Sequence, residues 1–222
     1  MMRIVATSDT HEKHSGLTVP DGDVFIHAGD FTMIGEPDQV RSFNAWLRRL
    51  PHKYKIVIAG NHDRSFEVPD ADQAALIAYG QMQLSNATHY LCASGCEIEG
   101  KTFWGSPYTP FFSSDYWKFH YDPAQIGTWD RIPEKLDVLI THGPARNHLD
   151  KTVEGDNAGC YDLFRRIREM IYSDVAPRFH VFGHIHEAYG RKEIGDCTTL
   201  LNVSAVDRLY RLRENPCVEF EI

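Results

Sequence analysis

Five short apolar runs constrain this chain more than any other feature, because each ends in a loop that carries Asp, Asn or His. Short apolar runs bounded by Gly or Pro are typical of strands buried in a sheet. Open α/β sheets bind ligands at the carboxyl ends of their strands, so we expect the five loops to converge. The runs are residues 3–8, 24–28, 55–59, 137–141 and 179–182, and their loops are Asp9-Thr10-His11, Gly29-Asp30, Gly60-Asn61-His62-Asp63, His142-Gly143-Pro144 and Gly183-His184-Ile185-His186.

The stretches between these runs carry helical and hairpin patterns. Residues 37–50 place apolar side chains on one helical face behind Pro37, which suits a first turn. Residues 70–80 and 160–171 predict two more helices, with Asn157 or Asp156 as the cap of the last. A hairpin is predicted over 96–104, and further strands over 198–203 and 217–222. The pattern indicates an α/β fold with a mixed sheet, or two sheets, and helices outside.

Length, composition and charge narrow the class of protein. The 222 residues fit one domain, 1–222, and no run approaches the ~20 apolar residues of a membrane helix. We expect no membrane contact, and no secretory signal precedes the first strand, so we predict a cytoplasmic location. The net charge of −8 argues against bulk nucleic-acid binding. The five scattered cysteines are interpreted as free thiols rather than a zinc knuckle.

The polar residues of the loops form a set of candidate metal ligands. Carboxylate, amide and imidazole groups without thiolate suit Mn²⁺ first, with Fe, Zn²⁺ or Ni²⁺ as alternatives. Seven ligands are too many for one four-coordinate ion and are appropriate for two, with one carboxylate shared. The candidates are Asp9, His11, Asp30, Asn61, His142, His184 and His186.

The charge of such a centre also favours a phosphate substrate. Two divalent ions, two carboxylates and a bridging hydroxide leave about one positive charge, which would attract a phosphate despite the acidic chain. In Asp9-Thr10-His11 and in His184-Ile185-His186, extended backbone would point the first and third side chains the same way. His62 follows Asn61 directly, so its side chain is free to reach a leaving-group oxygen as a general acid.

An aromatic-rich segment, residues 105–129, is the least regular part of the chain. One interpretation is a lid whose rings stack on a nucleobase, with Tyr108, Phe111 and Trp117 as candidate substrate-binding residues. The other is a hydrophobic cap on the edge of the core, which we favour slightly.

The five loops together resemble the calcineurin-like metallophosphoesterases, whose pattern is Asp-x-His, Gly-Asp, Gly-Asn-His-Asp/Glu, His and Gly-His-x-His. The resemblance spans residues 9–186 and implies a four-layer α-β-β-α sandwich, with two mixed sheets flanked by helices and the metal site at the carboxyl ends of the strands. It also implies two metal ions bridged by Asp30, with His62 as the leaving-group acid. Asp9, His11, Asp30 and His186 would bind the first ion, and Asp30, Asn61, His142 and His184 the second.

Within that family, a closer resemblance is to the small metallophosphoesterase domain-containing branch, whose members are associated with cyclic nucleotide hydrolysis. It lies in Gly29-Asp30-Phe31-Thr32 and in residues 54–62 and 182–190. Some of its members carry glycine where this chain has His184, so both metal sites are expected to be complete here. Protein phosphatases of the family follow Gly-Asp with a Val-Asp-Arg-Gly type block, whose acid orients the catalytic histidine. Here Phe31-Thr32-Met33-Ile34 follows instead, which leaves the partner of His62 open and argues against a phosphoprotein phosphatase.

The leading hypothesis is therefore a metal-dependent phosphoric ester hydrolase acting through a metal-bound hydroxide. Its substrate would be a small phosphodiester, including a cyclic nucleotide, or a phosphomonoester. The alternatives are a nuclease of the same family and a non-catalytic scaffold that retains the fold. The sequence predicts no oligomeric state.

Overall fold

A computed structural model describes residues 1–121 and 129–222, and these residues form three α-helices and thirteen β-strands. The helices are α1 (Pro37–Leu47), α2 (Gln73–Gln83) and α3 (Tyr161–Tyr172). The strands are β1 (Arg3–Thr7), β2 (Val24–Ala28), β3 (Tyr54–Ile58), β4 (His89–Tyr90), β5 (Ser94–Ile98), β6 (Lys101–Ser106), β7 (Thr109–Pro110), β8 (His120–Tyr121), β9 (Val138–Thr141), β10 (Phe179–Phe182), β11 (Gly190–Ile194), β12 (Thr198–Asn202) and β13 (Val218–Glu221).

Two mixed sheets form the centre of the molecule, which confirms the predicted fold class. The first has the order β13-β1-β2-β3-β4, and the second has the order β11-β12-β10-β9-β6-β5. In the first sheet β1, β2, β3 and β4 run parallel, and β13 pairs antiparallel at one edge. In the second sheet β12, β10, β9 and β6 run parallel, and β11 and β5 pair antiparallel at the two edges. The carboxyl ends of the parallel strands therefore meet at one edge of each sheet, as the sequence predicts.

Three apolar layers hold the sheets and helices together. The inner faces of both sheets meet in one layer, where side chains such as Ile26 and Ile140 are fully buried. A second layer packs α1 and α2 on the first sheet, and a third packs α3 on the second sheet. Each fully buried aliphatic side chain stabilises the fold by roughly 1.5–3 kcal/mol. The order of layers is helix, sheet, sheet, helix.

The helix ends differ from the prediction by a few residues, for local reasons. The first helix ends at Leu47 rather than at residue 50, because the amides of Arg49 and Leu50 donate to carbonyls only three residues back and the helix tightens into a turn. The second begins at Gln73, where the Asp72 carboxylate accepts from the Ala75 amide at 2.8 Å. The third is capped by Cys160, not by Asn157 or Asp156. Among the described residues, no helix combines the length and the apolar character that crossing a membrane requires.

Candidate metal centre

The loops after the parallel strands converge where the two sheets meet. The end of β1 is joined to the segment after β12, since the Ser8 amide donates to the Val203 carbonyl at 3.0 Å and the Ala205 amide donates to the Ser8 carbonyl at 2.8 Å. Loops from both sheets thus face one pocket. It collects six of the seven candidate ligands and His62 in three groups of facing side chains, and Asn61 lies beside them on the same pocket. The groups are Asp9, His11 and His186; His11, Asp30 and His62; and Asp30, His142 and His184.

One half of the centre is built around Asp9. His186 Nε2 lies 3.4 Å from Asp9 Oδ1, and His11 Nε2 lies 3.3 Å from His186 Nε2. The Asp9 carboxylate also accepts from the His184 amide at 3.0 Å and from the Ser204 hydroxyl at 2.8 Å. These two donors fix the carboxylate, so the remaining lone pairs point toward the histidines.

The other half is built around His142. Its Nε2 lies 3.2 Å from Asp30 Oδ2 and 3.0 Å from Asn61 Oδ1. Asp30 Oδ2 also lies 3.8 Å from His11 Nε2, so this carboxylate faces both halves. His184 completes the second half beside His142, with ring centroids 5.1 Å apart.

The spacing of these atoms fits divalent metal ions. Ligand atoms held about 2.0–2.2 Å from one ion at tetrahedral or right angles lie roughly 3.0–3.5 Å from one another. The facing nitrogen and oxygen atoms of each half lie 3.0–3.4 Å apart. The donor set also has the mixture of carboxylate, amide and imidazole that Mn²⁺, Fe and Zn²⁺ accept.

Three histidines of the centre are oriented by backbone carbonyl groups. A carbonyl oxygen only accepts, so each Nδ1 carries the hydrogen and each Nε2 faces the pocket. The pairs are His11 with Thr32 at 3.2 Å, His142 with Ala28 at 2.9 Å, and His62 with Met33 at 2.7 Å. The Met33 carbonyl is therefore the partner of His62 that the sequence left open.

The backbone at the ligands is not extended, so the predicted reason for the Asp-x-His and His-x-His spacings is wrong. Asp9, His11, Asp30 and His184 have φ angles of 52°, 39°, 56° and 68°. Such left-handed conformations are costly for non-glycine residues and cluster at functional sites. As a result, Asp9 and His11 converge on one group, whereas His184 and His186 separate into the two halves of the centre.

Two glycines allow the loops to approach this closely. A Cβ atom at Gly60 would collide with Asp30 and with the His142 ring. A Cβ atom at Gly183 would collide with the Asp9 carboxylate and the Ser8 side chain. Any side chain at either position would push ligands apart.

Asp63 joins the loops after β2 and β3. Its buried carboxylate accepts from the backbone amides of Gly60 at 2.9 Å, Asp30 at 2.8 Å and Thr32 at 2.9 Å, and from the Thr32 hydroxyl at 2.6 Å. The carboxylate points away from His62, although the two residues are adjacent in sequence. Asp63 therefore holds the loop of Asp30 against the loop of Asn61 and His62.

Charge pairing decides which residues of the centre carry protons. Burial alone would lower the pKa of His142, but the Asp30 carboxylate raises it to about 9. Burial likewise opposes the charged form of His186, whose pKa is nevertheless raised by the bond to Asp9. Burial lowers the pKa of His11 to about 4. The metal-free centre therefore holds two imidazolium–carboxylate pairs, one in each half.

A cavity of about 270 Å³ opens on this centre. Its walls include Asp30, Asn61, His62, His184 and His186, together with side chains outside the motifs. Those further side chains are Phe112, Trp117, Glu187, Arg208 and Tyr210.

The aromatic segment divides between the two roles considered for it. Trp117 lines the cavity, but Tyr108 and Phe111 do not appear among its described walls. Tyr108 packs instead on buried Phe119, with ring centroids 5.8 Å apart, and Phe111 is 58% exposed beside His120. Tyr108 thus belongs to a cap on the core, while Phe112 takes the place beside the centre that was predicted for its neighbour. Residues 122–128 of the segment lie outside the described residues.

Sequence reasoning missed several residues after β12. Ser204 bonds to Asp9 across 195 residues of sequence. The Tyr210 ring stands edge-on to His11, with centroids 4.8 Å apart. No motif surrounds either residue, and the stretch is brought to the centre by the pairing of β12 in the second sheet and by the backbone bonds from Ser8.

Comparison with known proteins agrees with this geometry. The sequence profile of the calcineurin-like phosphoesterase family matches residues 2–188. The chain belongs to this family. A UPF0046 protein of Caenorhabditis elegans is 37% identical over 225 residues, which are 98% of this chain and 74% of that protein. The human metallophosphoesterase domain-containing protein 1 is 38% identical over 235 residues, 97% of this chain and 70% of that protein.

Proposed function

We propose that this chain hydrolyses small phosphodiesters, cyclic nucleotides among them, or phosphomonoesters, with two divalent metal ions. The observation that carries the proposal is that Asp30 faces both halves of the centre, the one around Asp9 and the one around His142. His62 Nε2 lies 4.0 Å from Oδ2 of the same carboxylate. Family membership supports phosphoester chemistry in general. The cytoplasmic location stays a prediction.

The ligands would hold the ions in two sets. Asp9, His11 and His186 would form one set, and Asn61, His142 and His184 the other, with Asp30 between them. When bound, the ions would activate water for attack on phosphorus and neutralise charge on the phosphoryl oxygens. Mn²⁺ is our first choice for both positions, on the chemistry of the donors.

His62 would serve as the general acid for the leaving group. Its Nδ1–H is committed to the Met33 carbonyl, so only Nε2 faces the pocket. A protonated imidazole there would give its proton to the departing oxygen, a step worth about 10²–10⁴-fold in rate. The Asp30 carboxylate accepts from the His62 amide at 2.8 Å, so this hydrogen bond holds the acid close to the shared ligand.

The cavity favours a small ester over a polymer. At about 270 Å³ it lies near the lower bound of ligand cavities, roughly 300–1,000 Å³. Phe112 and Tyr210 offer aromatic surface for a nucleobase, and Arg208 offers a cation for a phosphate. The net charge of −8 opposes the nuclease alternative.

Metal analysis and a hydrolysis screen test the proposal together. Mass spectrometry should find close to two divalent ions per chain, and chelation should abolish hydrolysis of bis-p-nitrophenyl phosphate. The screen should compare 3′,5′- and 2′,3′-cyclic nucleotides, phosphomonoesters, phosphodiesters and oligonucleotides. Preference for oligonucleotides would favour the nuclease, and metal binding without any turnover would favour the scaffold.

His62→Ala provides the matched test of the acid. The variant should keep both ions and the fold but lose turnover of alkyl esters by about 10²–10⁴-fold. His89→Ala, on β4, is the control and should retain activity. Hydrolysis that survives chelation, or a His62→Ala variant with full activity on alkyl esters, would refute the mechanism.

A further inference from the structure

The described part of the aromatic segment between residues 111 and 119 is fastened to the loop that bears His62. The Lys118 amide donates to the Asn61 carbonyl at 3.2 Å, and the Phe119 amide donates to Glu67 Oε1 at 2.8 Å. The Arg64 guanidinium lies over the Tyr116 ring, 3.8 Å from its centroid. These contacts bind the segment to one loop of the centre at three points, which a simple cover on the core would not require.

Trp117 is the side chain that this fastening places on His62. The indole and imidazole centroids are 4.1 Å apart, with 34° between the planes. On another side of the imidazole, His11 meets it edge-on at 4.5 Å, and the Met33 carbonyl holds Nδ1 at 2.7 Å. The ring of His62 is thus restrained by a stack, an edge contact and one hydrogen bond.

The stack matters because a single hydrogen bond leaves the imidazole free to tilt. The torsion that rotates a histidine ring has broad minima, so packing has to select the orientation. A general acid must keep its donor within about 2.6–3.2 Å of the oxygen that it protonates. With the indole in place, Nε2 stays directed toward the side of Asp30, at 4.0 Å from Oδ2.

We propose that Trp117 is a positioning residue for His62, acting through the stack rather than through contact with the substrate. The inference rests on the proposed function and assigns to Trp117 a role other than nucleobase stacking, since one indole face is already covered by the imidazole. In hydrolysis the P–O bond to the leaving group breaks while a P–O bond to the oxygen of water forms. The leaving oxygen takes the Nε2 proton of His62, and a proton from water restores the imidazolium.

The leaving group supplies a selective test of this role. An alkoxide needs the proton of the acid as it departs, whereas p-nitrophenolate is stable without it. The probes are thymidine 5′-phosphodiesters that carry either a methyl or a p-nitrophenyl group as the second ester. Trp117→Ala should lower kcat for loss of methanol by about 10–100-fold, part of the 10²–10⁴-fold that general acids contribute. Loss of p-nitrophenol should fall less than about threefold, with KM little changed on both probes.

Two further variants separate positioning from general damage to the segment. Trp117→Phe keeps an aromatic face on His62 and should recover most of the methanol-releasing activity. Phe111→Ala lies on the same segment but contacts His120 rather than His62, so it should behave as the wild-type chain. In a His62→Ala background, Trp117→Ala should add no further selective loss, because the two residues act as one unit.

A spectroscopic measurement checks the stack without any turnover. The ring C–H signals of His62 in the metal-free chain are those missing from His62→Ala. The indole shifts them upfield, and Trp117→Ala should return them toward ordinary positions, while Phe111→Ala should not. Unchanged signals in Trp117→Ala would overturn the proposal.

The kinetic outcomes separate the two proposals. Wild-type protein that hydrolyses neither probe, nor any ester in the screen, contradicts the proposed function and with it the role of Trp117. Wild-type activity with equal losses on both probes contradicts only the positioning role, and would indicate that Trp117 contacts the substrate.

Discussion

Two buried histidines in strand interiors and two at strand ends differ in charge, although all four are removed from solvent. In the interiors, His27 on β2 and His180 on β10 meet threonine hydroxyls, those of Thr10 at 3.0 Å and Thr141 at 2.7 Å. Burial lowers the pKa of both to about 3, so both are neutral.

At the strand ends, His142 and His186 show the opposite outcome, whereas burial also lowers the pKa of His11 and His184. His142 lies 3.2 Å from Asp30 and His186 lies 3.4 Å from Asp9, and each carboxylate outweighs the loss of solvent. The comparison teaches that a carboxylate in direct contact, rather than depth in the protein, decides whether an imidazole here holds a proton. Metal binding would displace the protons of the strand-end pair and would leave the interior pair unaffected.

The neutral histidines nevertheless serve the strand ends. The Thr141 hydroxyl donates to the Gly143 carbonyl at 2.6 Å, so it must accept from His180 Nε2. Thr141 precedes His142 directly, and Thr10 stands between Asp9 and His11. In each sheet, an uncharged histidine therefore forms a hydrogen bond with a threonine that is next to a candidate metal ligand in the sequence.

Replacing the shared carboxylate should have the largest effect on the comparison. Asp30→Asn removes the charge between the two halves, and we expect kcat/KM to fall by at least about 10³-fold, equivalent to several kcal/mol of transition-state stabilisation. Metal content should fall with it. His180→Gln should instead retain metal and most activity, and should cost about 1–3 kcal/mol of stability through its buried hydrogen bond. Equal losses of activity in Asp30→Asn and His180→Gln would contradict the difference in role between the strand ends and the strand interiors.

The contribution of these histidines to the stability of the metal-free chain should be greatest near pH 6.5, the ordinary pKa of histidine. Below that pH, His27 and His180 bind protons in the unfolded state but stay neutral in the folded state. Their contribution to stability therefore falls as the pH drops toward 3. Above it, the folded state keeps the proton of His142 up to about pH 9, so stability falls as pH rises. Each histidine contributes at most about 1.4 kcal/mol per pH unit.

Urea unfolding from pH 5 to pH 9 measures both limbs. His180→Gln should flatten the acidic limb, and Asp30→Asn should flatten the alkaline limb. Saturating divalent metal should also remove the alkaline limb, because the ligands then bind ions instead of protons. A profile that is unchanged by either substitution would show that other groups control it.

The smallest expected effect comes from adding a charge at the strand ends. Asn61→Asp would place a third carboxylate beside His142 and cancel the positive charge that attracts phosphate. We expect KM for bis-p-nitrophenyl phosphate to rise about tenfold, with metal content retained. Steady-state kinetics beside metal analysis measure this, and an unchanged KM would show that the net charge of the centre does not govern substrate affinity.

The order of the loops allowed much of the centre to be predicted from sequence. The carboxyl ends of parallel strands lie at the same edge of a sheet, so Asp30, Asn61 and His142 could be grouped from the sequence alone. The local backbone conformation could not be predicted from the sequence, because the positive φ angles of Asp9 and His11 depend on contacts with other loops. The Met33 carbonyl could not be predicted either, since every residue has a carbonyl group and only the fold selects which one meets His62.

The aromatic segment shows a different limit of sequence reasoning. Its composition indicates rings at a surface, but composition does not tell which ring meets the centre. That choice depends on the Lys118 amide and on Arg64, whose roles are visible only when the loop after β3 is in place. Phe112 and Trp117 face the cavity as a result, while Tyr108 packs inward.

The junction between the end of β1 and the segment after β12 has a mechanical consequence. Asp9 and Asp30 come from one sheet and His142 and His186 from the other, while the layer between the sheets is mainly apolar. Cations bound at this junction would add cross-links between the two sheets to the backbone hydrogen bonds that already join Ser8 to Val203 and Ala205. Loading with metal should then raise the melting temperature of the whole domain and slow amide exchange in β2 and β10 alike.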